Sequence, residues 1–131
     1  MAVELTVTLP NRAGQLGALA GVLGDAGVNM RSIAATTGAG KGIVHVIVDD
    51  ADAARARRAI KTAKYRISGD RKILEVRLAD KPGTLARVAN RLGKAKVNIE
   101  SAYMLGQSRK STTLGIGVKD HRAANKALGR G

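Results

Sequence analysis

Shifting this 131-residue chain by 69 positions lays one half on the other. Leu5-Thr6-Val7-Thr8-Leu9 falls on Leu74-Glu75-Val76-Arg77-Leu78, and Asn11-Arg12-Ala13-Gly14 falls on Asp80-Lys81-Pro82-Gly83. Leu23-Gly24-Asp25-Ala26-Gly27-Val28-Asn29-Met30 then falls on Leu92-Gly93-Lys94-Ala95-Lys96-Val97-Asn98-Ile99. Over Leu5 to Ala34 the ungapped overlay has twelve identities in thirty positions, where composition alone gives roughly two or three. A duplicated unit must fold the same way twice, so each reading below must hold in both copies.

In the first copy Val3, Leu5, Val7 and Leu9 alternate with polar residues, the period of a half-buried strand. Pro10 to Gly14 carries turn chemistry. Leu16, Leu19, Ala20 and Leu23 then recur at helical spacing, predicting a helix over 15–26 that ends at Gly27. A second strand is expected over 28–37, a hairpin at Gly38-Ala39-Gly40-Lys41-Gly42, and a third strand over 43–48. Asp49, Asp50 and Asp52 favour a helix start, with Ala53, Ala56, Ile60 and Ala63 as its apolar stripe. A short fourth strand follows over 65–68.

The order is β-α-β-β-α-β, which is ferredoxin-like. The second copy reads as strand 72–79, helix 84–95, strands 97–106 and 111–118, and helix 120–128, with no final strand. The expected fold class is α+β: two tandem ferredoxin-like modules, 1–69 and 70–131, packed side by side, the second lacking its last strand. The join at Ser68-Gly69-Asp70 is too short for a flexible linker. The sheet edge left by the missing strand is open to another chain, so a homodimer or higher oligomer is expected.

Composition narrows the function. There is no Cys, Phe or Trp and there are only two Tyr, while Ala supplies 22 residues. Disulfides, thiolate metal sites and thiol catalysis are excluded. His45 and His121 have no partner at metal-ligand spacing, so no metal site and no cofactor is expected. No apolar run is long enough to span a membrane, and Met1-Ala2-Val3-Glu4 has no leader character, so a cytoplasmic protein is expected. Gly38 to Gly42 lacks the residues and the following helix of a phosphate-binding loop. Ser32 and Ser101 recur without a histidine base at a recognisable spacing. No catalytic constellation emerges, and the chain reads as a non-enzyme.

The net charge of +13 comes from 23 Lys and Arg against 10 Asp and Glu. Arg55, Arg57, Arg58, Lys61, Lys64 and Arg66 cluster on and after the second helix. Such a field attracts polyanions at low salt. The near absence of aromatics argues against base stacking, so nucleic acid is expected to bind only nonspecifically.

The recurring loop carries the chemistry. Its glycine permits a tight turn, and the helix that follows presents unpaired N–H groups that favour a carboxylate or phosphate. As plain turn and cap residues, Asn11, Asp80, Asn29 and Asn98 would also fit, but turns alone do not require Leu-Gly-x-Ala-x-Val-Asn twice. Asn11-Arg12-Ala13-Gly14-Gln15-Leu16 with Gly27-Val28-Asn29-Met30 resembles the ACT domain. So does Asp80-Lys81-Pro82-Gly83-Thr84-Leu85 with Val97-Asn98-Ile99. The resemblance covers nearly the whole chain. It implies a regulatory module that binds an amino acid at an interface between modules, which often pair edge to edge.

Carried over by motif, the implied ligand-binding positions are Asn11, Arg12, Ala13, Gly14, Gln15, Leu16, Asn29 and Met30. In the second copy they are Asp80, Lys81, Pro82, Gly83, Thr84, Leu85, Asn98 and Ile99. Loop amides would hold the α-carboxylate, and the Asn amide oxygens or Asp80 would accept from the α-ammonium. Ala13 stands where the family usually has proline. Leu9 and Leu78 stand where some serine-binding relatives have histidine, which disfavours serine. A separate biosynthetic enzyme is the implied regulated partner. Two other function classes stay open: an oligomerisation or docking module without its own ligand, and a basic nucleic-acid-binding protein.

Overall fold

The alternation of β1 (Ala2–Pro10) decides where the first core lies. Val3, Leu5, Val7 and Leu9 point to one sheet face, where Leu19 and Leu23 of α1 (Gln15–Asp25) and Ala53, Ala56 and Ile60 of α2 (Asp50–Thr62) cover them. β2 (Met30–Gly38) and β3 (Lys41–Asp49) form an antiparallel hairpin, and Val44, Val46 and Val48 complete the core from β3. Its two-residue turn has Ala39 and Gly40 both at positive φ, the geometry that matches strand twist. Burying each such Val, Leu or Ile contributes about 1.5–3 kcal/mol.

The computed structural model describes residues 1–130. It divides into two units, one comprising Met1–Lys72 and the other starting at Ile73. In the first unit the strand order is β2-β3-β1-β4, where β4 spans Arg66–Ala79 and contributes its first part here. The second unit takes the remainder of β4, then α3 (Thr84–Lys94), β5 (Ser101–Gln107), β6 (Ser111–Gly117) and α4 (His121–Ala127). Its strand order is β4-β6-β5. Its core is Leu74, Val76, Leu92, Leu114, Ile116 and Ala124 with Val97 and Val118. Both copies are thus ferredoxin-like, and among the described residues the second has no final strand.

Two expected boundaries move, each for a physical reason. The strands expected over 65–68 and 72–79 are one strand, and Ser68-Gly69-Asp70 is not a turn. Gly69 lies against Thr6, where an added Cβ would stand 3.0 Å from Oγ1, and Arg57 donates from Nε to Asp70 Oδ2 at 2.6 Å. Both contacts fasten the segment in the first unit as extended chain. That hydrogen bond also holds the Arg57 guanidinium above its ordinary pKa. The basic cluster on α2 is therefore partly paired rather than wholly solvated.

The second strand of each copy begins later than expected, at Met30 and at Ser101. Val28 N–H is used by Leu23 C=O and Val97 N–H by Leu92 C=O, both closing helix ends. Their backbones are committed to the caps before the strands begin.

On the sheet face of the first unit away from its helices, Glu4 is buried, 2% exposed. Arg71 Nε lies 3.0 Å from its Oε1. His45 Nδ1 is 2.9 Å from Thr6 Oγ1 and 3.9 Å from Glu4 Oε2, so His45 is a sheet side chain within a polar group of four.

Candidate ligand site

α1 begins without a side-chain cap. Gly14, at φ 88°, turns the chain into the helix, and no side chain accepts from its first N–H groups. Gln15 N–H reaches Arg12 C=O at 3.3 Å, and Ala18 N–H closes the first helical bond to Gly14 C=O. The intervening Leu16 and Gly17 amides are the donors a helix start leaves for a ligand.

The start of this helix, at Gln15 and Leu16, borders a cleft of about 380 Å³ within the first unit. Of the expected residues, Asn11, Arg12, Gln15 and Leu16 line it. The facing wall comes from strands: Ala35, Thr36 and Thr37 of β2, with Gly42 and Val44 of β3. Leu9 and Pro10 complete the lining. Arg12 is exposed at the rim, and Leu16 is 43% exposed. The cleft combines a wall of small strand residues, the exposed Arg12 cation, helix-start donors and the Asn11 and Gln15 amides. That set can hold a small zwitterion by its carboxylate while its side chain lies on Ala35 and Val44.

Asn29 and Met30 are elsewhere. α1 separates them from the loop by about 16 Å. Asn29 N–H points to Asp52 Oδ2 at 3.4 Å, and Arg55 Nη1 bonds Gly27 C=O at 3.1 Å. Asn29 is thus fastened to the start of α2, and Met30 packs against the core.

The second loop is built differently. Gly83 has φ 89°, matching Gly14. However, the Thr84 hydroxyl lies 2.9 Å from Ala79 C=O and 3.0 Å from Lys81 C=O, and Asp80 N–H bonds Lys110 C=O. The Thr84 hydroxyl thus ties two loop carbonyls, while the helix-start amides of Leu85 and Ala86 stand as those of Leu16 and Gly17 do. Lys81, Pro82 and Leu85 are exposed. Asn98 lies at the far end of α3, in a separate cleft with Lys96, Glu100, Lys119 and Asp120, and Ile99 packs on the core.

Strand register explains the contrast. In the first unit Leu9 pairs Gly42, which pairs Thr37; in the second, Leu78 pairs Thr112, which pairs Gln107. Two residues along, Val44 with Ala35 becomes Leu114 with Met104. The two smallest residues of the first cleft, Gly42 and Ala35, are replaced by Thr112 and Met104. The cleft-making strand residues were missed from sequence. Their signal lies in the two copies, but a strand irregularity between Met104 and Gly106 shifts the overlay by one and hides it.

Among the described residues no group of His, Cys, Asp and Glu is placed to hold a metal, and no helix is long and apolar enough to cross a membrane. Comparison with known proteins gives a family match: the ACT domain model matches residues 3–65 and 72–109. No curated protein sequence matches the chain. Among solved structures, a protein from Bacteroides thetaiotaomicron aligns with TM-score 0.84 at 24% identity, covering 97% of this chain and 85% of that one. The regulatory subunit of aspartate kinase from Thermus thermophilus aligns with TM-score 0.73 at 16% identity, covering 98% and 91%. The corresponding subunit from Thermus flavus gives 0.69 at 15%, also covering 98% and 91%. At these identities the likeness is one of fold.

Proposed function

The chain belongs to the ACT domain family, a family of regulatory modules, and from that premise we propose that it is a non-enzymatic, cytoplasmic amino-acid-binding regulator with one ligand site per chain. The observation that carries this reading is the cleft of the first unit, where helix-start amides and Arg12 face a wall of small strand residues. The carboxylate would accept from the Leu16 and Gly17 amides. Asn11 or Gln15 would accept from the ammonium group, and a small or branched side chain would lie on Ala35 and Val44. The second loop, closed by Thr84 and backed by Thr112 and Met104, would serve the fold.

The cleft opens beside β2, which pairs only with β3 in this unit and leaves Ile33 43% exposed. A module from a second copy laid along that edge would close the cleft. The ligand would then sit between modules of a homodimer or larger homo-oligomer, and binding would favour that assembly. A separate metabolic enzyme would read the change.

The test is a thermal-shift and calorimetric screen of the twenty amino acids on the wild-type chain and on Gly42→Thr. A Cβ at Gly42 meets Leu9 only at ordinary contact distances, 3.7 and 3.8 Å, and the second unit carries Thr112 at the matching place, so the variant is expected to fold, its unfolding transition being the check, while narrowing the cleft. At a hundredfold excess over Kd, a ligand adds about 2.7 kcal/mol of stability. The expected result is stabilisation by one or a few amino acids, lost in Gly42→Thr. Stabilisation by none of them would sink the sensor reading and leave docking as the function.

A further inference from the structure

The cleft of the first unit carries charge of one sign. Among the described residues that line it, Arg12 is the one charged side chain, and Asn11, Gln15, Thr36 and Thr37 supply the other polar groups. Arg12 also differs from four other arginines of its unit. Arg31, Arg55, Arg57 and Arg71 each stand within 3.4 Å of a carboxylate, those of Asp49, Asp52, Asp70 and Glu4 in turn. Among the described residues Arg12 forms no such pair, and it is exposed.

The surrounding chain supplies no acid to the cleft. From Pro10 to Val48 the sequence holds Arg12, Arg31 and Lys41 against Asp25 alone. Asp25 closes α1, about 15 Å along the helix from Gln15. Lys41 pairs with Pro10 in the strand register and adds positive potential at the loop end of the sheet. A second molecule laid along β2 would bring its own Met30–Gly38, which contains Arg31 and no carboxylate. The second repeat provides the contrast. The overlay puts Asp80 on Asn11 and Lys81 on Arg12, so the second loop carries a carboxylate next to its cation. In the first loop a neutral amide takes that place. The first cleft therefore has two kinds of donor for an anion, the helix-start amides of Leu16 and Gly17 and the Arg12 guanidinium. A single α-carboxylate on the amides leaves the guanidinium over.

We propose, resting on the reading of this cleft as an amino-acid site, that its ligand is an acidic amino acid whose side-chain carboxylate pairs with Arg12. The planar guanidinium would hold that carboxylate through two parallel N–H bonds. Thr37, on the same strand face as Ala35, would add a hydroxyl donor. The α-carboxylate would stay on the helix-start amides, and the side-chain methylene would lie on Ala35 and Val44. A cationic amino acid would set a second positive charge beside Arg12, with no carboxylate in the lining to offset it. A neutral one would gain nothing from Arg12.

The experiment uses the full chain and amino acids that match in shape and differ in charge, aspartate with asparagine and glutamate with glutamine, read by calorimetry and thermal shift. One acid is expected to bind about tenfold more tightly than its amide, and lysine to bind weakest. Arg12→Gln should erase that difference, and Asn11→Asp, which copies the charge of the second loop, should reduce it. Arg58→Gln removes the same charge from an exposed place on α2 and should leave the difference intact. Urea unfolding of each variant checks that it is folded. Equal binding of acid and amide, or tightest binding by a neutral or cationic amino acid, overturns the proposal and leaves the cleft an amino-acid site. An acid preference that survives in folded Arg12→Gln, or that Arg58→Gln erases as fully, overturns it as well. Binding of none of the twenty amino acids overturns both readings, so the two failures are told apart.

Discussion

Gly14 and Gly83 form an experiment that the duplication has already set up. Both open a helix at nearly the same angle, φ 88° and 89°. At neither position would an added Cβ meet any atom within 4 Å. Replacing either with Ala therefore adds no clash, and the cost is backbone strain alone, about 1–2 kcal/mol for an L-residue in the left-handed region. With an unfolding entropy of about 2.1 cal/mol/K per residue, that loss lowers the Tm of a chain this long by about 4–7 °C if it melts as one unit. The two variants should lose nearly equal stability by calorimetry and by urea titration. Their functional effects should differ. Gly14→Ala strains the turn that sets the Leu16 amide beside the cleft and should weaken the thermal response to amino acids, whereas Gly83→Ala should leave that response intact. A response lost in Gly83→Ala and kept in Gly14→Ala would refute the assignment of the site to the first unit. A large difference in stability between the two would refute the strain argument itself.

Three further outcomes follow from packing. Gly115→Ala places a Cβ 2.7 Å from Leu105 Cδ1 and 2.9 Å from Ile73 Cγ2, both buried, and should cost about 1–3 kcal/mol in urea unfolding; combining it with Leu105→Ala should cost less than the two losses added. Arg71→Ala leaves buried Glu4 without its 3.0 Å contact. Because Arg71 is itself 38% exposed, the loss should fall near or below the low end of the buried-pair range, about 2–3 kcal/mol, and shrink in Glu4→Gln. Thr112→Val removes a buried hydroxyl that has no partner among the described residues and should be neutral or stabilising by up to about 1 kcal/mol, read by Tm.

Much of the fold was legible because it repeats. The alternation at Val3 to Leu9 and at Leu74 to Leu78 named the inward face of each central strand, and both glycines of the loop marked a left-handed residue. The cleft that carries the proposed site was legible in part. Asn11, Arg12, Gln15 and Leu16 share a cleft, but Asn29 stands at the other end of α1, a separation that linear spacing across a helix does not reveal. The strand wall was illegible for a different reason. Ala35 and Gly42 matter through what they lack, and an absent side chain acquires meaning only when strand pairing shows what faces it. The continuity of β4 was hidden because Ser68-Gly69-Asp70 has the composition of a turn. Contacts from Thr6 and Arg57, distant in sequence, hold it straight.

That continuity changes how the chain can be taken apart. Modules joined by a loose connector are separated by a protease at the connector. Here Arg66–Ala79 passes from one unit to the next as a strand, its residues held in ladders on both sides of the boundary. A protease should find the exposed Asn11–Gly14 and Ser108–Lys110 loops before it finds the junction. The two halves would then be digested piecemeal from their loops, and neither would be released as an intact module.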